Sequence, residues 1–323
     1  MNERALPKSM LNLGVIHLFI LYVVWGSTYL AMRVAVSGTH GFSPFTMGAL
    51  RVLMAGIILL TWAAVRRHPV RLTRRDAWVL AITAACLWLG GNGLVLWAEQ
   101  YADSGYAALM VGTVPLWTAL LESILDRKLP TPILVASLLA GFAGIALLNA
   151  SALAHGDESR WYASLALIVA PVSWAVGTIV QKRRPLTISS PLVVSGYQQL
   201  FAGLGFAAVA ALLGEPWGAP SHQAWMALAY LIIFGSVLAF TSFGVALRLL
   251  PASVVLTYAY VNPVIALFLG WALLGEPIGI WNLTGAALIL LSVAGVFRAN
   301  RKSSTPRQSV PPHEESVPTA TSQ

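Results

Sequence analysis

The chain has 323 residues, 57% hydrophobic and only 10% charged, with 20 basic against 12 acidic side chains for a net charge of +8. Mean hydropathy is +0.73; with about 25% charged residues expected of a soluble domain, a water-soluble globule is excluded. The single cysteine, Cys86, excludes an intrachain disulfide and a cysteine-built metal site.

Apolar stretches long enough to span a bilayer, about 20 residues each, recur along the chain. Hydrophobicity places them at 13–35, 44–65, 76–98, 104–125 and 131–150, then at 161–181, 191–213, 223–246, 252–274 and 280–298. The first is long and lacks a small-residue cleavage site, so it reads as a retained helix rather than a signal peptide. Residues 299–323 are rich in Ser, Thr and Pro and read as a disordered cytoplasmic tail.

The basic charge is unevenly placed. The N-terminus, alternate connections and the tail hold 17 of the 20 basic residues, among them Arg66, Arg67, Arg71, Arg74 and Arg75 in one loop and Lys182, Arg183 and Arg184 in another. By the positive-inside rule both termini are predicted to be cytoplasmic. Spread over short loops, the charge is a topology signal and not a nucleic-acid surface.

Two spans carry a proline near their centres, Pro115 in ALMVGTVPLWTALLESIL and Pro263 in TYAYVNPVIALFLGWALLGEP. Each removes a helix hydrogen bond, to the carbonyl of Val111 or Ala259. The two prolines are 148 positions apart. Trp25 and Trp174 are 149 apart, each followed eight residues later by a base, Arg33 and Lys182. MAG at 54–56 and FAG at 201–203 are 147 apart, and Gly144 and Gly295 are 151 apart. A near-constant offset over several spans signals a duplication, with repeats at 14–150 and 161–298. Each half has five spans, an odd number, so the second half enters the membrane from the opposite side. The expected fold is an all-α membrane protein: ten transmembrane helices as two inverted five-helix repeats around a central cavity. In that frame Pro115 and Pro263 meet at similar depth as paired hinge candidates; the plain alternative for each is a tolerated kink.

Four stretches, LYVVWGSTYLAMRVAV at 21–36, GNGLVLWAEQ at 91–100, VPLWTALLESIL at 114–125 and YAYVNPVIALFLGWALLGEP at 258–277, resemble the EamA-domain branch of the drug/metabolite transporter superfamily. The resemblance covers roughly residues 14–298. It implies ten helices in two EamA repeats, a bacterial inner-membrane location, and export of amino acids or related metabolites. One departure stands out: the first repeat has LDRK at 125–128 where the second has LGEP at 274–277, so the two gates are not expected to behave alike.

Motifs of enzymes are missing: HExxH, GxSxG and Walker loops do not occur, and the six histidines are scattered. Neither an enzyme nor a cofactor or metal site is expected; the expected partners are a small-molecule substrate and the bilayer. Polar and aromatic residues inside apolar spans are therefore the site candidates. Trp88, Asn92 and Glu99 share one helical face, with Arg33 as the structural partner expected for Glu99. Trp25, Tyr29, Trp174 and Tyr258 are aromatic groups away from the interfacial belts, suited to an amphipathic solute or an ammonium group. Asn262 precedes Pro263, beside backbone carbonyls that the proline frees. Arg51 is able to hold a carboxylate by a two-pronged contact or to serve structurally; its repeat counterpart is the neutral Gln198. The reading is a secondary transporter exporting small amphipathic metabolites, amino acids foremost, by alternating access. Its alternatives are an exporter of cationic drugs or other metabolites and, in another class, a membrane scaffold or receptor.

Overall fold

The computed structural model describes residues 8–127, 129–154, 158–188, 190–250, 252–255 and 257–303. Among the described residues all regular structure is helical, as an apolar medium requires when each backbone N–H and C=O must find its partner within the chain. The first half holds α1 (Lys8–Val36), α2 (Pro44–Val65), α3 (Arg74–Ala98), α4 (Ser104–Leu125) and α5 (Pro132–Ala154). The second half holds α6 (Glu158–Arg183), α7 (Pro191–Leu212), α8 (His222–Ala246), α9 (Tyr258–Leu274) and α10 (Ile280–Ser303). Seven of these, α1–α4 and α6–α8, are long and apolar enough to cross a membrane, while α5, α9 and α10 contribute shorter apolar stretches. Outward faces carry large apolar side chains such as Phe19, Leu139, Leu204, Phe268 and Leu291, which only a lipid surround makes favourable.

Local chemistry sets the helix ends. Proline opens α2 and α7, where its missing N–H is harmless. The hydroxyls of Thr73 and Ser221 accept from the backbone N–H of Asp76 and Ala224 at the starts of α3 and α8. Gly275, at φ 66°, ends α9 in the left-handed conformation that glycine adopts without strain. The last helix runs on to Ser303, five residues into the stretch expected to be disordered. The rest of that expected tail lies outside the described residues.

The helices of the two halves pack reciprocally. The second helix of each half, α2 and α7, lie together, as do the fifth, α5 and α10. The first helix of each half inserts beside the third and fourth of the other: α1 beside α8 and α9, α6 beside α3 and α4. Small residues permit the approach. A Cβ on Gly56 of α2 would meet the Gly196 carbonyl oxygen of α7 at 3.0 Å, and one on Gly203 of α7 would meet the Leu53 backbone nitrogen of α2 at 3.0 Å.

Two features were not legible in the sequence. Both third helices contain a π-helical segment, Ala85–Gly93 in α3 and Leu231–Leu238 in α8. These start 146 positions apart, so they belong to the duplication. The prolines, by contrast, sit in unlike settings. The fourth helix breaks at Gly112 and Thr113, and Pro115 lies in the first turn of its second piece, whereas Pro263 lies inside continuous α9. Gly112 explains the meeting of the two helices, since a Cβ there would stand 3.0 Å from Cγ of Pro263. Thr113 offsets the break by donating its hydroxyl to the Met110 carbonyl at 2.6 Å.

Candidate functional site

A cavity of about 520 Å³ lies where α1, α3 and α4 face α6, α8 and α9. It is lined by Trp25, Tyr29, Trp88, Asn92, Trp174, Tyr258 and Asn262, and by both Pro115 and Pro263. Residues from both halves, far apart in sequence, thus share one space.

The π segments position much of this wall. A π turn loosens the helical hydrogen-bond ladder and turns a carbonyl toward a neighbour. The Gly235 carbonyl, in the α8 segment, accepts the indole N–H of Trp25 at 3.3 Å. The Cys86 carbonyl, in the α3 segment, accepts the Ser173 hydroxyl of α6 at 2.8 Å. Each half therefore offers a π-segment carbonyl to the first helix of the other. Trp25 is further fixed by edge-on contacts with Tyr258 and Phe240, ring centroids 4.9 and 5.4 Å away. Trp174 packs over Gly91, where a Cβ would stand 2.8 Å from its ring. Asn262 is buried, and its side-chain oxygen has no hydrogen-bond partner among the described residues.

Two sequence candidates lie elsewhere. Gln198 is buried on the α3–α6–α7 side, where its Nε2 donates to Thr83 Oγ1 at 2.9 Å and Gln181 Oε1 at 3.0 Å. Glu99 sits buried at the end of α3, outside the cavity lining. The side-chain pair expected between it and Arg33 is not made: Arg33 donates to the Glu99 backbone carbonyl, while neither carboxylate oxygen has a hydrogen-bond partner among the described residues. The helix end explains this, because its last carbonyls lack acceptor duty inside the helix and attract a guanidinium.

The structure also adds residues the sequence did not single out. Thr28, Met32, Thr118, Thr178 and Phe240 line the cavity. So do Glu122 and Lys182, paired at 2.7 Å, with side-chain exposures of 28% and 70%. Helical spacing held the signal: Trp174, Thr178 and Lys182 recur every fourth residue on one face. The cavity therefore reaches solvent at the Glu122–Lys182 end, and its lining ends at the other on buried Arg51 and Met32.

The two ends of the molecule are held by different chemistry. Glu276, in the loop after α9, is buried and caps the start of α4. Its carboxylate accepts from the backbone N–H of Ser104 at 2.8 Å and Gly105 at 3.2 Å, and from the Ser104 hydroxyl at 2.9 Å. Glu215, after α7, caps α2 in the same way, accepting from the N–H of Phe45 at 3.1 Å and of Thr46 at 2.7 Å. At the end where the cavity opens, Glu122–Lys182 and Asp126–Arg183 are ion pairs standing partly in solvent.

A helical bundle of two matching halves around a cavity, with apolar outer faces, has the architecture of a polytopic membrane protein. Comparison with known proteins narrows the class. The EamA-like transporter family matches twice, over residues 12–150 and 161–298. The chain is 35% identical over 264 residues to the uncharacterized inner membrane transporter YedA of Escherichia coli (strain K12), covering 80% of this chain and 82% of that protein. It is 23% identical over 283 residues to the uncharacterized transporter YoaV of Bacillus subtilis (strain 168), covering 87% of this chain and 94% of that one. A solved chain described as "Crystal structure of protein" superposes with a TM-score of 0.60 at 22% identity, over 93% of this chain and 100% of that one, and supports the fold alone. The chain belongs to the EamA-like transporter family, within the drug/metabolite transporter superfamily.

Proposed function

We propose that this transporter exports small amphipathic metabolites, aromatic or neutral amino acids foremost, across a bacterial inner membrane by alternating access. The observation that carries the reading is the cavity: a space of about 520 Å³, shared by both repeats, walled by aromatic rings and open at one end. In this reading all ten helices cross the bilayer, the halves are inverted, and both termini are cytoplasmic. The open end, with Lys182 and Arg183, then faces the cytoplasm, and Glu276 and Glu215 close the periplasmic end. The molecule stands in the state that loads cargo from inside.

Purified protein in liposomes is expected to exchange a labelled aromatic amino acid. Trp25→Ala and Trp174→Ala are each expected to lower the rate at least tenfold at unchanged reconstitution. An unaltered rate in both variants makes the tryptophans packing groups, and no exchange of any amino acid by the native chain overturns the substrate assignment.

Topology has its own test. In a Cys86→Ser background, cysteine at exposed Trp217 is expected to react with a membrane-impermeant thiol reagent in intact spheroplasts. Cysteine at His68 is expected to react only after lysis. Labelling of both from the same side removes the inverted arrangement.

A further inference from the structure

Arg51, on α2, is 4% exposed and lines the closed end of the cavity. Its hydrogen bonds are few and weak for a guanidinium with five donors. Its Nε donates to the Ser236 hydroxyl at 3.1 Å, and one terminal nitrogen lies 3.4 Å from the Met32 sulfur. The face of Trp88 supports the cation, with the ring centroid 5.8 Å from Cζ. The second terminal nitrogen has no hydrogen-bond partner among the described residues, and no carboxylate bonds to Arg51 among them. Glu99 lies within electrostatic range, but its oxygens bond to nothing there.

Every other charged group in the lining is already matched, since Glu122 and Lys182 pair with each other at the opposite end. A buried cation without a hydrogen-bonded counter-charge is costly. Arg51 has nonetheless been given a fixed place, braced by a ring, a hydroxyl and a thioether, with a donor edge left open to the cavity. Its repeat counterpart, Gln198, is held by Thr83 and Gln181 outside the cavity, so the closed end carries a single cation with no matching group from the other half.

We infer that Arg51 is the residue that selects cargo, holding its carboxylate at the closed end of the cavity while the apolar remainder lies between the aromatic rings. The inference rests on the transport reading above and narrows its substrates to small monocarboxylates, zwitterions included, at the expense of lone organic cations. One guanidinium, the charged group of the lining without an ion-pair partner among the described residues, matches one carboxylate, two N–H donors facing two oxygens. A phosphate dianion carries two negative charges where this end of the cavity offers one positive charge.

The test is exchange by the full chain in liposomes, driven with four probes that share one ring: phenylalanine, 3-phenylpropionate, phenylalaninamide and phenyl phosphate. Phenylalanine and 3-phenylpropionate are expected to be carried at least tenfold faster than phenylalaninamide, with phenyl phosphate no better than the amide. In Arg51→Gln the acid-over-amide ratio is expected to fall to about one, and in Arg51→Lys to stay above it. Because each ratio is taken within one variant, it is independent of how much protein folds. Equal or faster carriage of phenylalaninamide by the native chain overturns the inference and leaves transport standing. Retention of the acid preference in Arg51→Gln also overturns it, and a preference for phenyl phosphate overturns the choice of carboxylate. If the native chain carries none of the four, the transport reading falls with it.

Discussion

Glu276→Ala is expected to destabilise the protein and unseal the closed end of its cavity, and to do both more than any single ion-pair substitution at the opposite end. The carboxylate receives two backbone N–H groups and one hydroxyl at the start of α4. These donors are buried, and no other group of the helix is placed to take them. Hydrogen bonds to a charged group contribute roughly 1.5–3 kcal/mol each, and leaving a buried donor unmatched costs a similar amount. A net loss of about 2–4 kcal/mol follows, because water reaches some of the freed groups once the loop loosens. The seal goes with the cap, since Glu276 ties the loop after α9 to the other half of the molecule. Thermal unfolding in detergent measures the first effect. Labelling of a cysteine at Thr28 from the side proposed to be periplasmic, in a Cys86→Ser background, measures the second and is expected to accelerate several-fold. The comparison is Glu122→Gln, which removes an ion pair that stands in solvent and is expected to change stability by no more than about 1 kcal/mol. Equal effects of the two substitutions reject the asymmetry.

The second large effect concerns Gly144, at the seam of α5 and α10. A Cβ there would stand 2.9 Å from the Gly285 carbonyl oxygen and 3.1 Å from the Ile289 backbone nitrogen. Both are backbone atoms of a helix and have no rotamer through which to yield. Gly144→Ala is therefore expected to force the helices apart and lower stability by about 1–3 kcal/mol, although alanine is the better helix former. Gly144→Leu is expected to abolish the folded, monodisperse species. Gly279→Ala is the control, with open space around its Cβ position and no expected change. Unfolding temperature and elution profile in detergent read all three; a neutral Gly144→Leu removes the close-packed seam.

Duplication was the most legible part of this chain. Trp25 with Trp174, Pro115 with Pro263, and Gly144 each fell where an offset of nearly 150 residues put them, because apolar spans and their kinks leave a one-dimensional trace. Cavity aromatics were legible for the same reason: a tryptophan far from the interfacial belts has few places to go. The π segments left no such trace, since a π turn depends on how neighbouring helices pull on the ladder and not on a local propensity. Glu99 misled because its position near a helix end was visible, while the choice between its carboxylate and its carbonyl as the acceptor for Arg33 is decided in three dimensions. Arg51 was visible as a charge within a span, but its lack of a hydrogen-bonded carboxylate was not. The unlike settings of the two prolines arise from where each fourth span is interrupted: its longer helix begins at Val114, one residue before Pro115, but at Tyr258, five residues before Pro263, after a short helix over Ala252–Val255.

The reciprocal use of π-segment carbonyls, Gly235 for Trp25 and Cys86 for Ser173, bears on the thermodynamics of the whole cycle. If each half adopts in one state the arrangement its sibling has in the other, every contact with a duplicate appears on both sides of the equilibrium and cancels. The free-energy gap between the two states then reduces to the unmatched residues. Glu276 is one of them, having no glutamate counterpart in LDRK, and Arg51 with its neutral sibling Gln198 is another. A difference of about 1.4 kcal/mol shifts a two-state ratio tenfold, so a handful of side chains is enough to tip an otherwise near-degenerate pair. Direction of transport in such a molecule is written in its departures from symmetry.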